Sequence, residues 1–164
     1  MMRDFGFDFY RYDKYCQNLF ARGFDVTEEE KRFTLVTAFE LLEHLDNPVS
    51  VIEKLLQYSS SIFFTTELVP KSTPQPDQWW YYCLDHGQHI SFYTLQSLQL
   101  LAERFSLNLY SNGSGYHLMT DRKISPLLFR LLCREEVVSL SNWLYTRKSL
   151  LDEDYKRITG IEIR

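Results

Sequence analysis

Apolar positions along the chain fall into two short β-like runs and several helical stripes. Residues 34–38 read TLVTA and residues 60–66 read SSIFFTT, both rich in strand formers. Between them Pro48 opens a helix behind Asp46 or Asn47 as N-cap, with Val49, Ile52, Leu55 and Leu56 on one stripe. Thr94 caps a second helix whose Leu95, Leu98, Leu101 and Ala102 face inward. Residues 107–121 read as a closing hairpin turning at 111–115. Nearer the start, residues 8–12 predict a short strand ending at Asp13. Residues 15–23 predict a brief helix stopped by Gly23, and residues 24–26 a small edge strand before the charged turn 27–32. Residues 70–78 carry three prolines and exclude regular structure. Beyond Lys123, residues 125–133 and 135–151 predict helices, and the polar tail 152–164 is expected to fray. Strands alternating with helices, then two adjacent strands, predict an α/β fold. Its sheet is expected to be open and mostly parallel, with an antiparallel strand at one edge.

Ligands of such sheets bind at the carboxyl ends of the strands. Here those ends carry Asp13, then Glu40, Glu43 and His44, then Thr65, Thr66 and Glu67. Solvated strand-to-helix loops are also rich in acids. Three such ends together, however, suit a ligand with ribose hydroxyls and a cationic centre. The segment 79–93 adds Trp79, Trp80, Tyr81, Tyr82, His86, His89, Phe92 and Tyr93 after the proline-rich stretch. That density predicts a lid or acceptor pocket, in which some rings, Phe92 first, serve the core. Imidazole is the usual base near neutral pH, so His89 is the first candidate for deprotonating an acceptor and His86 the second. The two histidines are three apart with no third ligand nearby in the sequence, so no metal site is expected.

Composition narrows the setting. The 164 residues suffice for a compact domain, and aromatics make up 16% of them, which supports a pocket. The net charge of −4 is evenly spread with no basic stripe, which disfavours nucleic acid as a partner. Cys16, Cys83 and Cys133 are far apart and fit neither a zinc motif nor a disulfide framework. No apolar run reaches the ~18 residues of a membrane span. The opening residues lack a signal-peptide layout, so a cytoplasmic, reduced setting is expected.

The segments FTLVTAFELLEHLDNP, IFFTTELVP and WWYYCLDHGQHISFYTLQSLQLLAERF together resemble the class I S-adenosylmethionine-dependent methyltransferases, in the branch with EHxxxP and HISFYT segments. The resemblance spans residue 8 to about residue 122. It implies a Rossmann-like sheet, S-adenosylmethionine as cofactor and a small-molecule acceptor. It matches Asp13 to the acid that binds the cofactor ribose, an ordinary turn aspartate being the alternative. Phe39 and Glu40 match positions beside the cofactor after the fourth family strand. Glu43 and His44 match the EH pair at the active-site mouth, with a helix-cap role as the alternative for His44. Glu67, Trp79, Trp80 and Tyr93 are the expected substrate-binding residues.

The chain departs from that family in its glycines. Gly6, Gly23, Gly87, Gly113, Gly115 and Gly160 form no GxG triplet ahead of a helix. Gly113 and Gly115 lie in the expected hairpin instead. The ribose acid stands about 20 residues beyond the glycine loop in dinucleotide folds. Asp13 is too near the start for that spacing, so the first strand and its glycine loop are expected to lie upstream, in an N-terminally truncated chain. Residues 1–124 are then a partial methyltransferase domain and 125–164 a C-terminal helical extension. Two functional expectations follow: methyl transfer, inactive as given, or a non-catalytic binding or scaffolding domain that has lost the cofactor. A homodimer would form through the exposed sheet edge or through the C-terminal helices, whose apolar faces carry Leu128, Leu131, Val138 and Leu144.

Overall fold

The computed structural model of the protein describes residues 2–19, 21–26, 32–144 and 147–162, with the backbone alone for 140–144. The charged turn 27–32, apart from Arg32, and the side chain of Leu144 therefore lie outside the described residues. The chain divides into two compact units, Arg32–Val138 and Met1–Lys31 with Ser139–Arg164.

The first of these units holds the sheet. Its elements are β1 (Val36–Ala38), a 3-10 turn (Leu42–His44), α1 (Pro48–Tyr58), β2 (Ser61–Thr65), a second 3-10 turn (Trp80–Tyr82), α2 (Leu95–Arg104), β3 (Asn108–Ser111), β4 (Tyr116–Thr120) and α3 (Pro126–Leu132). Local chemistry sets the helix starts. The Asn47 side chain accepts from the Ser50 N–H, with Pro48 at the first helical position of α1. Thr94 and Ser97 exchange bonds in a capping box at α2.

The four strands lie in the order β1-β2-β4-β3. β1 and β2 run parallel, and β4 runs antiparallel to both β2 and β3. The α/β expectation holds, but the antiparallel strand is interior rather than at the edge. The reason is burial: His117 and Met119 of β4 are both fully buried though they alternate with Leu118 along the strand. A strand with this much covered surface gains most from a neighbour on each side. Ile62, Phe64 and Met119 share a core with Ile52 of α1 and with Leu98 and Ala102 of α2. The opposite face carries Phe63 and Tyr110, whose rings stand 6.4 and 6.3 Å from Phe129 of α3. Phe129 is buried, whereas Leu128, Leu131 and Val138 are exposed. Helices thus cover both faces, by the two-residue alternation of strands.

The other unit corrects three expectations. Residues 8–12 form no strand, only a one-rung bridge between Arg11 and Asp25. Residues 15–19 and 21–23 form bends and turns rather than a helix. Asn18 donates to the Ala21 carbonyl and accepts from the Ala21 N–H, giving the backbone a local alternative to helical bonds. Residues 152–159 of the tail are helical: after α4 (Glu135–Leu144), α5 (Leu151–Thr159) forms with three acids in its first turn, Lys156 and Arg157 in its last, and left-handed Gly160 as its stop. Arg3 anchors it with a two-pronged pair to Asp154 at 2.6 and 2.7 Å, while its guanidinium stacks 4.0 Å from the Phe24 ring. This pairing holds the Arg3 guanidinium above its ordinary pKa. Among the described residues no helix is long and apolar enough to cross a membrane.

Candidate functional site

The carboxyl ends of β1 and β2 build the site. Glu40 sits two residues past β1 in a left-handed conformation, φ 48°, a region that non-glycine residues enter at a cost. Two bonds hold it there. Its N–H donates to the Thr65 hydroxyl at 2.9 Å, and that hydroxyl donates to Glu40 Oε1 at 2.7 Å. The ends of the two parallel strands are thereby latched together. Glu40, Thr65, Thr66 and Glu67 line a cleft of about 150 Å³ with Ser114, Gly115 and Tyr116 from the hairpin. Gly115 leaves room for the Glu67 carboxylate, since a Cβ there would stand 2.7 Å from Glu67 Oε1 and displace that side chain. Phe39 is exposed and meets Phe63 edge-on at 5.6 Å.

The following 3-10 turn carries Glu43 and His44. It is stapled to residues 88–93. The Glu43 carbonyl accepts from the Ile90 and Ser91 N–H groups at 2.8 and 3.0 Å. The buried Tyr93 hydroxyl donates to the Leu42 carbonyl at 3.0 Å. Glu43 itself is 0% exposed, and neither of its carboxylate oxygens has a hydrogen-bond partner. Burial pushes its pKa up, and the neighbouring Glu40 carboxylate adds to the rise. The Tyr81 hydroxyl lies beside it, 3.3 Å from the Thr66 hydroxyl, and burial raises the phenol's pKa in turn.

The two candidate histidines separate. His86 lines a second cleft, of about 400 Å³, with Trp79, Trp80, Cys83 and Asp85 among its walls. Trp79 packs into a ring cluster with Tyr82 and Phe92 at 5.0 and 5.7 Å, whereas Trp80 is exposed. His89 instead turns to the first site, its ring 4.9 Å from that of His44. Glu43, His44 and His89 each present a donor atom, all within 4.8 Å of one another. The sequence places no third ligand beside His86 and His89; in the structure His89 stands with Glu43 and His44 instead. The segments 42–44 and 88–93 are far apart in sequence and meet through the backbone staple and the side-chain bonds of Tyr93 and His44. Tyr81 is named in the sequence only as one ring of the segment 79–93, and Gly115 only as a hairpin glycine. Neither carries a spacing signal, since each is placed by long-range packing.

Asp13 lies in the other unit and caps a turn. Its Oδ1 accepts from the Tyr15 and Cys16 N–H groups at 2.9 and 3.0 Å, and Arg11 pairs with Oδ2 at 2.8 Å. Those backbone bonds, with Arg11, hold its carboxyl below the ordinary value.

The β-strand cleft is rich in acceptors and poor in donors. Glu40, Glu67, Thr65 and Ser114 fit the hydroxyls and the cationic sulfonium of S-adenosylmethionine. They do not fit its methionyl carboxylate, which needs a cradle of N–H donors. A family model described as a methyltransferase domain matches residues 1–112. No curated protein matches the chain.

Proposed function

The chain belongs to the methyltransferase-domain family, and on that premise we propose that it serves S-adenosylmethionine-dependent methyl transfer to a small-molecule acceptor at the carboxyl ends of β1 and β2. The observation that carries the location is the left-handed Glu40 latched to Thr65 above an acceptor-rich cleft. When bound, the cofactor supplies an electrophilic methyl group on a sulfonium. In-line displacement from it depends chiefly on alignment.

The chain's own residues supply that alignment. Glu40 and Glu67 offer carboxylates to a cationic centre and to hydroxyls, and exposed Phe39 offers a flat apolar edge. Trp79 and Trp80 wall the larger cleft, whose size suits a small aromatic or hydroxylated acceptor. His89 gives its Nδ1–H to the Tyr81 carbonyl at 2.6 Å, because a carbonyl can only accept. Its Nε2 lone pair is then free to assist an acceptor hydroxyl, with His86 as the second choice. Tyr93 acts from the core by holding Leu42.

A second reading, a non-catalytic binding domain, is favoured by one observation. Asp13 already accepts two backbone N–H bonds on Oδ1 and one from Arg11 on Oδ2, which leaves about one acceptor position against the two that a ribose diol uses. Protein purified from its own cells, supplied with methyl-labelled S-adenosylmethionine and a small-metabolite extract, separates the two. Label in small molecules is expected. Absence of label, or label in macromolecules only, would overturn the proposal.

A further inference from the structure

We propose that Glu43, His44 and His89 form a binding site for one divalent transition-metal ion of the zinc class. Three independent features of the geometry support this. The donor atoms of the three residues lie within 4.8 Å of one another. Two donors on one ion, each about 2.1 Å from it, stand about 3.4 Å apart in a tetrahedron, a distance that small side-chain rotations reach. Second, Glu43 is a fully buried carboxylate with no hydrogen-bond partner on either oxygen. Buried charges are otherwise paired or coordinate a cation, and among the described residues no side-chain cation is bonded to this one.

Third, both imidazoles are pre-set as ligands. His44 Nδ1 faces the Gln88 carbonyl at 2.9 Å and His89 Nδ1 faces the Tyr81 carbonyl at 2.6 Å. A carbonyl accepts only, so each Nδ1 carries the proton and each Nε2 presents a bare lone pair. This outer-shell arrangement fixes tautomer and ring orientation in histidine-ligated metal sites. Two imidazoles and one carboxylate favour zinc, iron, manganese or cobalt over magnesium or calcium, which prefer oxygen. The burial gradient runs from buried Glu43 through half-buried His89 to exposed His44, which leaves an entry path. Three protein ligands also leave open positions, as in catalytic rather than structural sites.

Binding of the ion stands apart from the methyl-transfer reading. Its use rests on that reading. An acceptor hydroxyl placed on the open position would be acidified by the ion and lose its proton to solvent, its oxygen then taking the methyl group as the sulfonium S–C bond breaks to leave a thioether, so His89 would contribute as a ligand rather than as the base. No oxidant or reductant is involved.

The test is calorimetric titration of chelator-treated 164-residue chain with zinc chloride, with cobalt(II) absorption as a second readout. One ion per chain is expected, with visible cobalt bands of a nitrogen- and oxygen-ligated site. Glu43→Gln, His44→Gln and His89→Gln should each weaken zinc about tenfold or more, while His86→Gln leaves zinc affinity unchanged. Absence of binding by the folded wild-type chain would overturn the site. So would zinc binding unaffected by all three substitutions, which would assign it to the free cysteines Cys16, Cys83 or Cys133. His44 is exposed, so its variant remains informative if a Glu43 variant fails to fold. Zinc binding without methyl transfer would leave this site standing and overturn the proposed function instead.

Discussion

At the scale of single residues, two buried ionisable groups make opposite demands. Glu43 is a carboxylate without a partner, so its neutral isostere should be tolerated better by the metal-free chain. Glu43→Gln is expected to raise unfolding stability there by about 1 kcal/mol, measured by urea denaturation, and to reduce the further gain from zinc. His117 is buried in β4, donates Nε2–H to the Thr66 carbonyl at 3.0 Å, and is pushed below its ordinary pKa of 6.5 chiefly by burial. The unfolded chain therefore binds this proton more readily than the folded one. Stability from this group is complete above pH 6.5 and falls as pH drops below it, by up to about 1.4 kcal/mol per pH unit. Denaturation midpoints between pH 7.5 and 5 should fall less steeply in His117→Phe than in wild type. Equal slopes would remove His117 from the account. The carboxylates at the strand ends were legible from sequence, because open sheets bind ligands there. The partnership of Glu43 and His44 with His89 was not, because sequence spacing carries no record of the Ile90 and Ser91 bonds to the Glu43 carbonyl.

At the scale of elements, the parts with local signals were the readable ones. Asn47 with Pro48 and Thr94 with Ser97 mark α1 and α2 by chemistry confined to four residues. Thr94→Ala should therefore cost about 1 kcal/mol, seen as a lowered denaturation midpoint. α5 was misread as a fraying tail because its support is distant: Asp154 is buried against Arg3, 151 positions away in the chain. Asp154→Ala is expected to destabilise the unit by about 2 kcal/mol, the scale of a charge-assisted pair left half-made. Hydrogen exchange at residues 151–159 would report it, and unchanged protection would show that the pair contributes nothing. The antiparallel strand was placed at the edge for a similar reason. A hairpin fixes that β3 and β4 are antiparallel, but which of them lies beside β2 is decided by tertiary packing, here the full burial of the His117 and Met119 face of β4.

At the scale of the whole molecule, the parallel β1–α1–β2 unit points to the carboxyl ends of its strands, where ligands meet open sheets, and the family match adds a methyltransferase domain. The acceptor-rich cleft accounts for one part of a cofactor and offers no N–H cradle for its carboxylate. The 164-residue chain alone should consequently give no measurable heat with S-adenosylmethionine in calorimetry. A micromolar dissociation constant would show that another part of these residues supplies the cradle. The most direct measurement of the central claim, that the strand ends and residues 79–93 form the working site, is single-turnover methyl transfer by wild-type and His89→Gln protein isolated from its own cells. The account predicts a fall in turnover of about 100-fold or more, with cofactor affinity unchanged. Equal turnover in the two proteins would contradict it.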